Sequence, residues 1–155
     1  MIIGTEENHI EIVELERAPD GVPNAGDLRV LISIKLREFA GKYDSVWIEE
    51  PTFHDFIKTL ETVEKSRNGA ARLESCSPDE LTIEIRSRDS HGHFVAIVSL
   101  SRYQYSGPTY WKTSYLVVFE LDPSSLPIIV NSFKNFTQVA ANNALKSFAS
   151  LTGTG

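Results

Sequence analysis

The sequence predicts an α+β fold: a largely antiparallel sheet, in the order βββαββββα, with two helices packed against it. Three observations carry this expectation. Leu81, Ile83 and Ile85 alternate with Thr82, Glu84 and Arg86, and Leu28, Val30, Ile32, Ile34 and Leu36 alternate with Arg29, Ser33, Lys35 and Arg37. That is the period of half-buried strands. Within PTFHDFIKTLETVEKSRNG the apolar period lengthens, and Phe53, Phe56, Ile57, Leu60 and Val63 share one helical face. The stretches between strand-like runs are of hairpin length, which favours antiparallel neighbours.

Taken in order, Ile10 to Leu15 is strand-like, but its apolar positions change phase between Ile10/Ile12 and Val13/Leu15, the mark of a bulge or an edge. Ala18 to Asp27, dense in Pro, Gly, Asn and Asp, is a loop too short to link domains. After the Leu28 strand, Gly41 marks a turn and Tyr43 to Glu50 returns as a strand. Thr52 is expected to cap the first helix, with Asp55 complementing its exposed amides and Gly69 ending it. Ala71 to Cys76, Leu81 to Arg88, Phe94 to Tyr103 and Tyr115 to Leu121 follow as strands. The Phe94 strand is apolar on both faces and so belongs in the middle of a sheet.

Leu126, Ile129, Val130, Phe133, Phe136 and Ala140 trace a second helix, begun by Asp122 or Ser125 with Pro123 or Pro127 in its first turn. Ala144, Leu145 and Phe148 continue it, and the tail from Thr152 is expected to fray. A length of 155 residues suits one domain over 1–155. The pattern accommodates either one curved sheet or two packed ones.

Composition narrows the function classes. At 41% hydrophobic and 23% charged the chain is an ordinary globular protein, which excludes disorder. A net charge of -6 repels a phosphate backbone, so nucleic acid is not expected as a partner, whereas a cationic protein is compatible. The stretch Met1 to His9 has no basic segment followed by an apolar one, and no apolar run approaches the roughly 18–20 residues of a membrane span, so neither a secretory leader nor a membrane is expected. The single Cys76 excludes an internal disulfide and agrees with a cytoplasmic location.

No catalytic constellation is complete. His91-Gly92-His93 places two imidazoles close enough to share a metal, but the pair needs two further ligands and sits where a hairpin must turn; a polar turn is the expected reading, with a metal at His91 and His93 as the alternative. His54-Asp55 matches the dipeptide of metal-dependent phosphohydrolases in two letters only. Cys76 has no local base to activate it and is expected to be a buried or half-buried structural thiol. Glu49-Glu50 and Asp79-Glu80 are adjacent carboxylates, which a strand points to opposite faces. With no phosphate-cradling or nucleophile motif in the chain, no catalytic residue and no cofactor are expected. The most unusual segment is Tyr103 to Trp111, a Ser-Gly-Pro loop whose shoulders carry Tyr103, Tyr105, Tyr110 and Trp111. Such side chains either fold into the core or anchor a partner.

The helix FHDFIKTLETV, the Gly69 to Glu74 lead into the next strand, LTIEIRSRDSHGHFVAIVSLSR and YLVVFELDPSSLPIIVNSF together resemble small bacterial immunity proteins of polymorphic toxin systems, the kind that neutralises wall-associated, contact-dependent toxins. The likeness is one of element order and apolar positions and covers about Val46 to Phe136. It implies a non-enzymatic cytoplasmic protein that binds and blocks a cognate toxin. Tyr103, Tyr105, Tyr110, Trp111, Glu49, Glu50, Asp79 and Glu80 are the candidate contact residues on that reading. Two rival classes stay open: a small-molecule-binding or metal-dependent enzyme with His91, His93 and Cys76 in one pocket, and a homo-oligomer joined through the aromatic shoulders.

Overall fold

A computed structural model describes residues 1–136. Among them, eight strands form two four-stranded antiparallel sheets, each a simple meander in which every strand pairs with the next in the chain. The first sheet comprises β1 (Ile2–Gly4), β2 (His9–Arg17), β3 (Leu28–Lys35) and β4 (Ala40–Ile48). Helix α1 (Glu50–Ser66) leads to the second sheet: β5 (Ala70–Glu74), β6 (Leu81–Ser87), β7 (Phe94–Ser106) and β8 (Thr109–Leu121). A 3-10 turn at Pro123–Ser125 opens into a second helix, α2, described over 126–136. The α+β class therefore holds, with two sheets and not one. Ala140, Ala144, Leu145, Phe148 and the tail from Thr152 lie outside the described residues.

The element order is corrected to ββββαββββα. Strand β1 is only three residues long, too short to show a period, and tertiary contacts hold it: Ile3 is fully buried, the Met1 ammonium donates to the Ile12 carbonyl at 2.8 Å, and the Ile12 amide donates back to Met1 at 2.8 Å. The phase change expected in β2 is a register shift between Glu14 and Glu16, a bulge at Leu15. Strand β3 buries Leu28, Val30, Ile32 and Ile34, as its alternation requires. Gly41 is not the turn; it lies inside β4 opposite Ile34, and the turn is closed by reciprocal backbone bonds between Leu36 and Phe39. A side chain at Gly41 would start 3.1 Å from the Tyr115 ring, so its smallness serves packing.

Helix α1 begins at Glu50, so Thr52 sits in its first turn and does not cap it. Pro51, which has no amide to satisfy, is accommodated there, and the Glu50 amide donates to the Asp27 carboxylate at 3.1 Å. The cap thus arrives from the loop that separates β2 and β3. At the other end Arg67, in the left-handed region at φ 58°, donates its amide to Val63; Gly69 comes two residues later. For the second helix, Asp122 is the residue that caps the opening turn, accepting from the Ser124 amide at 2.8 Å.

Both sheets and both helices contribute to one contiguous hydrophobic core. The helical apolar stripe meets α2 there: Phe56 and Phe133 pack edge to face at 4.9 Å and Phe53 lies 5.9 Å from Phe133. Strand β7 is central, between β6 and β8, as its two-sided apolar pattern required.

Candidate functional site: a projecting aromatic arm

Tyr103 to Trp111 is not a loop. β7 and β8 pair without interruption from Phe94↔Leu121 to Ser106↔Thr109, and a two-residue turn, Gly107-Pro108, joins them. Gly107 takes φ 60°, the sign the first central position of a II′ hairpin turn demands. Tyr, Thr and Trp are good strand formers, so the pairing continues to the turn. β6 accompanies β7 only from Phe94 to Leu100. From Ser101 to Ser106 β7 has β8 as its sole ladder partner among the described residues, and this two-stranded arm extends about 20 Å past the sheet.

The register sorts the arm into two faces. Tyr103, Tyr105, Tyr110 and Lys112 share one; Arg102, Gln104, Trp111 and Thr113 share the other. On the first, the Tyr110 ring stands 5.8 Å from Tyr103 and 6.3 Å from Tyr105, and the Lys112 ammonium lies over Tyr103 at 5.5 Å. Tyr105 is 81% exposed and Trp111 64% exposed, so these rings are not core residues. On the second face a cleft of about 180 Å³ runs between the base of the arm and β4, lined by Lys42, Tyr43, Arg102, Gln104, Thr113 and Tyr115.

The segment from Ser75 to Glu80 braces the base. Ser101 is buried and donates its amide to the Glu80 carbonyl at 2.8 Å, while its hydroxyl meets that of Ser114 at 2.9 Å. The Glu80 carboxylate accepts from the Tyr43 hydroxyl at 3.1 Å, and the Arg102 guanidinium lies over the Tyr43 ring at 5.8 Å. Burial pushes both Tyr43 and Glu80 up from their ordinary pKa values. Asp79 stays exposed and approaches Lys112 at 3.9 Å.

Of the acidic candidates, Asp79 and Glu80 therefore join the arm, whereas Glu49 and Glu50 stand at the start of α1. Glu49 borders a hollow with Thr52, Glu74, Ser75 and Cys76. Glu50 is half-buried, its carboxylate 3.4 Å from His54. Cys76 links the two groups, its amide donating to the Trp47 carbonyl at 2.8 Å. It is exposed, against the expectation of a buried or half-buried thiol, because it lies beyond the end of β5. Partial desolvation, then the charges of Asp27, Glu49 and Glu80, push its pKa up, the opposite of what a nucleophile needs.

His91-Gly92-His93 forms the β6–β7 turn, with Gly92 at φ 86°. Asp89 organises it, accepting from the His91 amide at 2.8 Å and bonded to the His93 ring at 2.7 Å. This turn and Cys76 lie beyond opposite ends of β6, about 23 Å of strand apart, so the three side chains do not share a pocket. Among the described residues no group of three or more His, Cys, Asp or Glu side chains is placed to hold a metal. Asp55 of the His54-Asp55 pair binds Lys58 at 3.3 Å.

Sequence reasoning missed Leu116 and Val118, exposed on the same side as the tyrosines. Their β-branched and aliphatic neighbours read as core, and only the pairing register separates the inward Val117 and Phe119 from them. It also missed Tyr43 and Arg102, whose meeting no local pattern announces.

The fold is an α+β scaffold from which an aromatic arm projects into solvent. The sequence model of the family described as "Immunity protein WapI-like family" matches residues 1–139, and the chain belongs to that family. The match takes in the N-terminal sheet, beyond the Val46 to Phe136 span of the initial resemblance. No curated protein and no solved structure matches the chain. Membership makes a toxin the kind of partner to expect. Among the described residues no helix is long and apolar enough to cross a membrane.

Proposed function

We propose that this protein neutralises a cognate bacterial toxin in the cytoplasm by binding it, without catalysis, and that the aromatic arm is the principal contact. One observation carries the reading: Tyr105, Tyr110 and Trp111 are held out on a paired two-stranded arm with most of their surface in solvent. Large rings with few rotatable bonds are the usual anchors of protein interfaces, and their exposure costs stability unless a partner covers them. Tyr103, partly covered by Lys112, supports the Tyr110 ring. Asp79 and Glu49 supply an acidic rim. With the net charge of -6 they favour encounter with a cationic toxin domain. Glu80 acts indirectly by holding Tyr43 and the arm's base, and Glu50 contributes at the periphery.

The test is to identify a candidate toxin domain from the genes flanking this one, titrate it calorimetrically against this chain and measure growth protection in cells producing it. Tyr105→Ala combined with Trp111→Ala is expected to weaken binding at least about tenfold and to abolish protection, with thermal unfolding unchanged. Unchanged affinity in that double variant would remove the arm from the interface. Turnover of a toxin-derived substrate by the isolated chain would remove the non-catalytic reading.

A further inference from the structure

Strand β8 is the outer strand of its sheet and has no hydrogen-bonded strand on its far side among the described residues, although β1 comes close to it where Gly4 meets the Phe119 ring. Natural edges of this length are blunted by proline, bulges or clustered charge. This one has none of those devices: it pairs with β7 without a register shift, has no proline from Thr109 to Leu121, and carries only Lys112 and Glu120 as charged residues. The two-residue turn that joins Ser106 to Thr109 sets the direction of its backbone groups. Odd-numbered residues of β8 address β7, and even-numbered residues turn their N–H and C=O groups to the open side. The same even-numbered residues display Leu116 (70% exposed) and Val118 (60% exposed) on the outer face.

We propose that this edge pairs with a second copy of itself, joining two chains through antiparallel β8 strands into one continuous eight-stranded sheet. The occupant follows from self-complementarity. With the two-fold axis at Leu116, every outward backbone group from Lys112 to Glu120 meets an outward group of the other copy. Leu116 lies opposite Leu116, Ser114 opposite Val118, and Lys112 opposite Glu120, so opposite charges face each other twice and the exposed aliphatic side chains become neighbours. Lys112 already approaches Asp79, and Glu120 already pairs with Arg88, on the same chain; the new pairs add to these contacts. Tyr105, Tyr110 and Trp111 lie outside the Lys112 to Glu120 ladder.

Analytical ultracentrifugation of the purified chain over a range of concentrations tests the proposal. A concentration-dependent dimer is expected. Leu116→Pro should abolish it while leaving the β7 ladder whole, because the amide it removes points outward; an unchanged far-ultraviolet spectrum confirms the fold. Lys112→Glu should weaken the dimer at least about tenfold by facing Glu120 with a like charge, and the exchange Lys112→Glu with Glu120→Lys should restore it. A monomer at every concentration, a dimer that survives Leu116→Pro, an exchange that fails to restore association, or an edge that pairs only with a toxin domain would each overturn the proposal.

Discussion

The two halves of the β7–β8 hairpin share one ladder and one alternation, yet they meet opposite environments. At the root, Phe94, Ala96, Val98 and Leu100 face the core beside Val117, Phe119 and Leu121, and all are buried. Past Ser101 β6 no longer accompanies β7, and the same two strands carry tyrosine, tryptophan, lysine and arginine into solvent. Backbone pairing alone does not stabilise a two-stranded ribbon in water. The arm keeps its shape because its root is anchored in the core and because Glu80, Tyr43 and Arg102 brace its base. Burial and exposure are thereby separated along one pair of strands: apolar area is covered at one end and left in solvent at the other.

Substitutions in the two halves should diverge accordingly. The largest effect is expected at the root: Phe94→Ala removes a fully buried ring that also receives the Arg67 guanidinium, and should cost about 3–5 kcal/mol by denaturant unfolding. Tyr105→Ala in the arm should change the same midpoint by no more than about 0.5 kcal/mol. Equal losses at both positions would mean that the arm is part of the cooperative core. Amide hydrogen exchange offers a finer division. The paired amides of Ala96 and Val98 should be protected at least about a hundredfold more than those of the arm past Ser101, since only the former require global opening.

Smaller effects probe the loops. Asp27→Ala withdraws the acceptor that the first amide of α1 uses and should cost about 1 kcal/mol, measurable by thermal unfolding, although Asp27 lies outside the helix. The smallest involves Asp89. The hydrogen bond from His93, aided by the His91 and His93 amides, lowers its pKa from 3.8 to about 2. Because the folded value lies below the unfolded one, the stabilisation is complete above about pH 4 and lost as the pH falls from there to about 2. Titration by nuclear magnetic resonance should show His93→Ala returning Asp89 towards the ordinary carboxylate range. A value that stays near 2 in that variant would assign the shift to the backbone amides.

Much of the fold was legible because period reports burial directly. The alternation at Leu28 to Leu36 and the helical stripe from Phe53 to Val63 appear in the structure as read, and the phase change near Leu15 located a bulge. Short or shared features were not legible. Strand β1 has too few residues for a pattern, and the cap of α1 belongs to a distant aspartate. The arm was mistaken for a loop since Ser-Gly-Pro is an equally good signal for an open connection and for a tight hairpin; only the ladder from Ser101 to Ser114 distinguishes them. Of the contact candidates, the four aromatics could be named from their type, but their division into two faces needed the register. The link from Asp79 to Lys112 and the seat of Glu80 under Tyr43 join residues far apart in the chain.

The amino-acid sequence by itself determined most of the secondary elements, the antiparallel character and the aromatic wealth of one hairpin, because each is a local consequence of residue type and spacing. The tertiary structure decided that the strands divide into two sheets, that Cys76 and the His91–His93 turn lie apart, that β7 and β8 outrun β6 to leave Tyr105 and Trp111 uncovered, and that Leu116 and Val118 stand on the outer face of their sheet. Exposure is a property of what packs alongside, and no residue carries that information alone.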